Sequence, residues 1–325
     1  MRDKFREALF NEIKGSLFEY LTAQAVARTS KLEAAFLKSL PPHYQQVLEQ
    51  QDHMTRELYP KLVEFLPRWA KATAEAILVK LVAPVTKVQL TGQLVHTEAA
   101  REQGEADFFV TDASGVRAFS LKLNKKAGAV NTKSGGIKSF FVTYFDASVA
   151  AELQESFNQL VDSEFAILRE ELLELAGLDL NASWEAWTAA GFSELPGELP
   201  ADLRERIHAF YARLAQELGL ALRRIEAEAP EAFLVGLERL CGFGEKEVTQ
   251  VICFHDIQGT TPETVSVRVH QQSDVRERLR EYRWRETQNI ASVELALGDW
   301  VLQIRIKPMN KFTTTAIKMN CSLRF

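Results

Sequence analysis

The stretch Gly104-Glu105-Ala106-Asp107-Phe108-Phe109-Val110-Thr111-Asp112-Ala113-Ser114-Gly115-Val116-Arg117-Ala118-Phe119-Ser120-Leu121-Lys122 decides how this chain is read. Residues 107–111 place an acid at the head of an aromatic and β-branched run, a strand signature. Asp112-Ala113-Ser114-Gly115 is a tight, glycine-bearing turn. Residues 116–122 form a second strand that ends in Ser120-Leu121-Lys122. Folded as a hairpin, the two segments bring the Asp107 carboxylate and the Lys122 ammonium to one end of a sheet. A carboxylate beside a lysine can hold a divalent cation and orient a water against a phosphate.

Working outward, 325 residues with 46% hydrophobic and 26% charged content suit a soluble globular chain of one large or two ordinary domains. No apolar run reaches bilayer length, and Met1-Arg2-Asp3-Lys4-Phe5-Arg6-Glu7 lacks the apolar stretch of a secretory leader. No membrane partner is therefore expected. Cys241, Cys253 and Cys321 are far apart and have no zinc-site spacing, so they read as buried, reduced thiols of a cytoplasmic protein. The six histidines form no pair at helical ligand spacing, and His255-Asp256 reads as structural. In residues 128–134 Thr132, not glycine, precedes Lys133 and the spacing is one residue short, which excludes a nucleotide-binding P-loop.

The net charge of −5 conceals two basic segments. Residues 113–145 contain no acid but carry Arg117, Lys122, Lys125, Lys126, Lys133 and Lys138. Residues 300–325 contain no acid but carry Arg305, Lys307, Lys311, Lys318 and Arg324. Basic tracts on an acidic body, interleaved with Gly, Ser, Thr and Asn, point to a localised polyanion groove.

Hydrophobic periodicity predicts helices over residues 2–27 and 31–40, and over 43–81 with an interruption near Pro67. Residues 85–95 read as a strand ahead of the hairpin. A polar loop follows Lys122 and runs to Phe145. Helices return over 147–175 and 203–240, with a break at Pro230. Strands are expected at 248–254, 264–270, 292–297, 300–306 and 314–325, with a short helix at 276–285 that carries Arg283-Trp284-Arg285. The pattern is mixed α/β or α+β.

Three positions now resemble a family. Glu19, within Gly15-Ser16-Leu17-Phe18-Glu19-Tyr20-Leu21 on the first helix, Asp107 at a strand start and Lys122 at the next strand end resemble the PD-(D/E)xK nuclease superfamily, which includes many restriction endonucleases and resolvases. The resemblance covers about the first 145 residues. It implies a restriction-endonuclease-like mixed sheet flanked by helices. Residues 1–145 would supply the N-terminal helices and core strands, 146–245 a large helical insertion, and 246–325 strands that complete or extend that sheet.

The resemblance further implies a Mg2+-dependent (or Mn2+-dependent) DNA endonuclease of restriction-enzyme type, acting on double-stranded DNA as a homodimer. Asp107, Glu19, Glu105 and the Leu121 backbone carbonyl would serve the metal. Lys122, with Ser120 beside it, would position the attacking water. Lys125, Lys126, Asn131, Lys133, Ser134, Lys138, Lys307 and Lys311 would grip the DNA backbone. Two departures stand out: Ala106 occupies the usual proline position and Ser120 that of the usual second acid. The missing carboxylate is then expected from Glu19, Glu98 or Glu105. The alternative is a catalytically inactive nuclease-like fold acting as a nucleic-acid-binding or defence-complex subunit.

Overall fold

The computed structural model describes residues 2–91, 106–125, 128–244, 247–256, 265–286, 291–308 and 311–325, with the side chains of 2–8 and 308 excepted. The chain divides into two compact units, Met1–Gly128 with Phe243–Val275, and Ala129–Gly242 with Arg276–Phe325. No helix among the described residues is long and apolar enough to cross a membrane.

In the first unit four helices, α1 (Arg2–Thr29), α2 (Glu33–Ser39), α3 (Pro42–Leu58) and α4 (Pro60–Val79), precede the strands. Pro42 and Pro60 each occupy a first helical turn, where a missing N–H costs nothing. The sequence suggested a break at Pro67, but the chain breaks at Tyr59 instead and Pro67 lies within α4. Burial of Leu62, Leu66, Trp69, Ala70, Thr73, Ala74 and Ile77 along one stripe of α4 outweighs the single backbone hydrogen bond that Pro67 forfeits.

The sheet of this unit has the order β1-β2-β3-β5-β6. Its strands are β1 (Lys87–Leu90), β2 (Phe108–Asp112), β3 (Gly115–Lys125), β5 (Val248–His255) and β6 (Val265–His270). All neighbours are antiparallel except β3 and β5, so the sheet is mixed. One face carries Val88, Phe108, Val110, Phe119, Leu121, Val251 and Cys253 and packs in one cluster with Ile13, Leu17, Phe18, Leu66, Trp69 and Ile77 of the helices. The β2–β3 hairpin closes as its sequence requires. Asp112 faces Gly115 across a two-residue turn, Ser114 N–H donates to Asp112 Oδ1 at 2.7 Å, and Gly115 sits at φ +126°.

The second unit holds β4 (Val130–Gly136), α5 (Phe140–Tyr144), α6 (Ser148–Leu175), α7 (Trp184–Ala189), α8 (Ala201–Glu228), α9 (Pro230–Leu240), β7 (Arg283–Arg285), β8 (Ser292–Leu297), β9 (Trp300–Pro308) and β10 (Ile317–Arg324). Its sheet runs β4-β10-β9-β8-β7 and is antiparallel throughout. One more helix, α10 (Gln272–Leu279), spans the sequence boundary between the units.

Three expectations change. The tract after Lys122 is not one loop: β3 continues to Lys125, and residues 130–136 are a strand paired with β10. Alternating burial explains how so polar a segment holds a place in a sheet. Val130 and Thr132 point inward while Asn131 and Ser134 face solvent, and the Thr132 hydroxyl donates to the Leu240 carbonyl at 2.6 Å. The strands after residue 246 do not extend a single sheet. Strands β5 and β6 join the first sheet, whereas β7 to β10 join β4 in the second. The helix expected at 276–285 lies at Gln272–Leu279, and Arg283–Arg285 is a strand.

Candidate metal centre

The site grows from a fault in the β2–β3 ladder. Phe108 pairs with Phe119, yet the Phe119 carbonyl also accepts the Asp107 N–H at 2.8 Å. Two consecutive residues therefore oppose one, the arrangement of a β-bulge, which re-aims a side chain and ends pairing. The Asp107 carboxylate turns back into the gap, where its Oδ2 accepts the Leu121 N–H at 2.5 Å. In a strand the N–H and C=O of a residue share one edge. The Leu121 carbonyl thus faces the same opening beyond the end of β2. The other side of this corner is tied down by Thr91, whose N–H donates to the Asp107 carbonyl at 2.9 Å and whose hydroxyl donates to the Ala106 carbonyl at 2.8 Å.

Helix α1 packs over β1 and β3 and brings Glu19 to this corner. Burial raises the proton affinity of Glu19, the Asp107 charge raises it further and the Lys122 ammonium lowers it, so that its pKa is pushed up to about 8. All three groups are thus within electrostatic reach of one another, although they come from a helix and two strands. Burial is the larger cause and the neighbouring Asp107 charge the smaller, so a cation placed between the two carboxylates would favour their ionised forms.

Ser120 is 2% exposed and pairs across the parallel junction with Gln250, which is equally buried. With serine at that position, a second carboxylate would have to come from another element, and Glu19 on α1 is within electrostatic reach of Asp107. Glu105, Glu98 and His96 lie outside the described residues. Among the described residues no group of three or more His, Cys, Asp or Glu gathers as a metal cluster. The oxygen donors that could serve an ion here are the Glu19 and Asp107 carboxylates and the Leu121 backbone carbonyl. Mg2+ commonly takes one or two carboxylates and keeps several waters, so the set suits it, whereas a structural zinc site would need nitrogen or sulfur ligands.

Sequence reasoning missed the residues around this core. Lys14, also on α1, has its pKa lowered by burial and then by Lys125. Lys125 aligns with His255 at the ends of the parallel pair β3 and β5. His255 stacks on Trp69 at 4.2 Å, and burial followed by the charges of Lys14 and Lys125 lowers its pKa to about 4. Burial and the Glu19 charge hold the Tyr44 phenol above its ordinary pKa. The one available sequence signal was Lys14 standing among apolar helix positions. The pairing of β3 with β5 joins segments more than a hundred residues apart, and no local pattern announces it.

Of the residues expected to grip a polyanion, Lys125 belongs to this unit and Lys126 lies outside the described residues. Asn131, Lys133 and Ser134 are on β4, Lys307 is on β9, and Lys138 and Lys311 belong to the same second unit. Lys138 is paired with Asp162 at 2.5 Å and Lys311 with Glu194, which leaves both poorly suited to a phosphate. Comparisons with protein-family models, curated proteins and solved structures return no match for this chain.

Proposed function

We propose that the chain is a Mg2+-dependent endodeoxyribonuclease whose first unit is a restriction-endonuclease-like core. The observation that carries this reading is the shared electrostatics of Glu19, Asp107 and Lys122 at the bulged end of β2. Glu19, Asp107 and the Leu121 carbonyl would hold Mg2+ or Mn2+. The bound ion supplies charge neutralisation on the phosphate and a water of lowered pKa.

The chain's own residues account for the rest. Asp107 is held ready by the Leu121 N–H, so its second oxygen is oriented without a search over rotamers. Glu19 must give up its proton for two carboxylates to serve one ion. Lys122 aligns the attacking water and shares the growing negative charge on the phosphate. As the water adds to phosphorus, one ester P–O bond breaks and its oxygen takes up a proton. Lys14 and Lys125 supply positive charge at the same end of the sheet, where the flanking phosphates of a strand would lie. Cutting both strands of a duplex calls for two such sites, hence a homodimer.

A second reading, a nuclease-like module that binds nucleic acid without cutting it, is favoured by Ser120 and Ala106 in place of the usual acid and proline. Incubating plasmid DNA with the protein and Mg2+ or Mn2+ separates the two. Cleavage that disappears in Asp107→Asn and Lys122→Ala supports the hydrolase. Binding without cleavage under every metal condition supports the module.

A further inference from the structure

The sheet of the second unit is two-faced. Leu295, Leu302, Ile304, Ile306, Met319 and Leu323 alternate inward and are buried to 1% exposure or less, and α8 packs against β8 and β9. Apart from the Ala296–Val301 pair, the outward positions on β7 to β10 are polar. Register sets Lys318 opposite Lys307, Asn320 opposite Arg305, Ser322 opposite Gln303 and Arg285 opposite Glu294. Arg283 and Arg324 lie on the same face by alternation. Six cations share this face with one acid, in a chain whose net charge is −5.

That acid is already engaged. Glu294 accepts from Arg324 at 2.6 Å and from the Gln303 amide at 2.8 Å, with Arg285 at 3.9 Å. Among the described residues, no acidic partner reaches Arg305, Lys307 or Lys318. Like charges placed directly across two strands oppose sheet pairing, and here the β9–β10 pair keeps Lys307 against Lys318. Burial, Arg305 and Lys318 together lower the Lys307 pKa. Such crowding is relieved by an external anion.

We propose that this face of the β4-β10-β9-β8-β7 sheet binds the phosphate backbone of double-stranded DNA without reading its sequence. Charge complementarity identifies the ligand as a polyanion. Five strands span about 19 Å, too broad for a major groove about 12 Å wide, so the contact is with phosphates from outside. Single strands are gripped by aromatic stacking, and this face carries no aromatic side chain among the described residues. Trp300 is buried and Trp284 pairs with Leu295 on the inward side. The preference for DNA over RNA rests on the hydrolytic reading of the first unit; the binding surface itself does not.

The test is fluorescence anisotropy of labelled duplexes of two unrelated sequences, in EDTA so that nothing is cut. Wild type should bind both alike, more tightly than a single strand or duplex RNA, with affinity falling steeply as salt rises. Lys307→Gln with Lys318→Gln should weaken binding about tenfold and flatten the salt slope by about 1.8, the loss of two phosphate contacts. Removing crowded like charges should leave the thermal midpoint unchanged or higher, so loss of folding does not confuse the result. Lys31→Gln with Lys38→Gln in the first unit should bind as wild type does. Unchanged affinity and slope in the Lys307/Lys318 variant, sequence-selective binding, or preference for single strands or duplex RNA would overturn the proposal. Duplex bound in this way but never cut would count against the hydrolytic reading alone.

Discussion

The Asp107 carboxylate accepts the backbone N–H of Leu121 at 2.5 Å, replacing a main-chain partner where the β2–β3 ladder ends. This contact turns a strand terminus into a corner where the Asp107 carboxylate meets the edge of β3 that also carries the Leu121 carbonyl. It also separates charge from geometry at Asp107, because an amide oxygen can accept the same N–H.

Asp107→Asn should therefore keep the fold, with a denaturation midpoint close to that of wild type, yet lose divalent-cation binding by at least tenfold. Asp107→Ala leaves the Leu121 N–H without its acceptor and should cost about 1–2 kcal/mol as well. Urea denaturation of the three proteins side by side checks both statements.

The raised pKa of Glu19 links stability to pH with a definite sign. Between its ordinary value of 4.5 and about 8, the folded chain holds a proton that the unfolded chain has lost. The stabilising contribution is complete below that window and disappears as pH rises through it, at no more than about 1.4 kcal/mol per pH unit. Glu19→Gln should be free of this loss. Wild type should thus become progressively less stable relative to Glu19→Gln from pH 5 to pH 8 in EDTA. Parallel pH–stability curves for the two proteins would contradict the coupling.

On the proposed hydrolytic reading Lys122 would act on the phosphate and the water, and an ammonium donates nothing to the ion. Lys122→Ala should lower single-turnover cleavage by about 100-fold or more with little change in Mg2+ affinity. Single-turnover rates at saturating metal provide the check, and an equal loss of metal affinity would move Lys122 into a purely structural role.

The Gly128 N–H donates to the carbonyl of Lys125, the last residue of β3, at 3.0 Å. A Cβ at Gly128 would meet Asn124 Nδ2 at 2.9 Å and the Lys125 carbonyl at 3.0 Å, while Asn124 donates to the Gly128 carbonyl at 3.0 Å. Gly128→Ala should destabilise the protein by about 1–2 kcal/mol and disturb Lys125. Chemical denaturation measures the first effect and duplex affinity the second.

The hairpin was legible because its signals are local. Asp112 and Gly115 define the turn, and the runs on either side alternate around it. The long helices α1, α6 and α8 were legible for the same reason, as was the proline-marked start of α9. Strand β4 was not, because Asn131, Ser134, Gly135 and Gly136 carry little strand propensity and gain it only from β10, far along the chain. Pro67 misled because burial along α4 outweighed a single lost bond. The partition of the C-terminal strands between two sheets depends on long-range pairing, which no window of sequence contains. Asp107 stood out as the acid heading a hairpin strand, and Glu19 only through its resemblance to a known motif. The bulge that aims Asp107 at Leu121 was visible only in three dimensions.

Titration calorimetry of Mg2+ at pH 7, in two buffers of different ionisation enthalpy, tests the shared-ion account most directly. Wild type should bind the cation and release close to one proton, with the release fading above pH 9 and absent in Glu19→Gln. No binding by wild type, or identical binding and proton release in Glu19→Gln and Asp107→Asn, would contradict it.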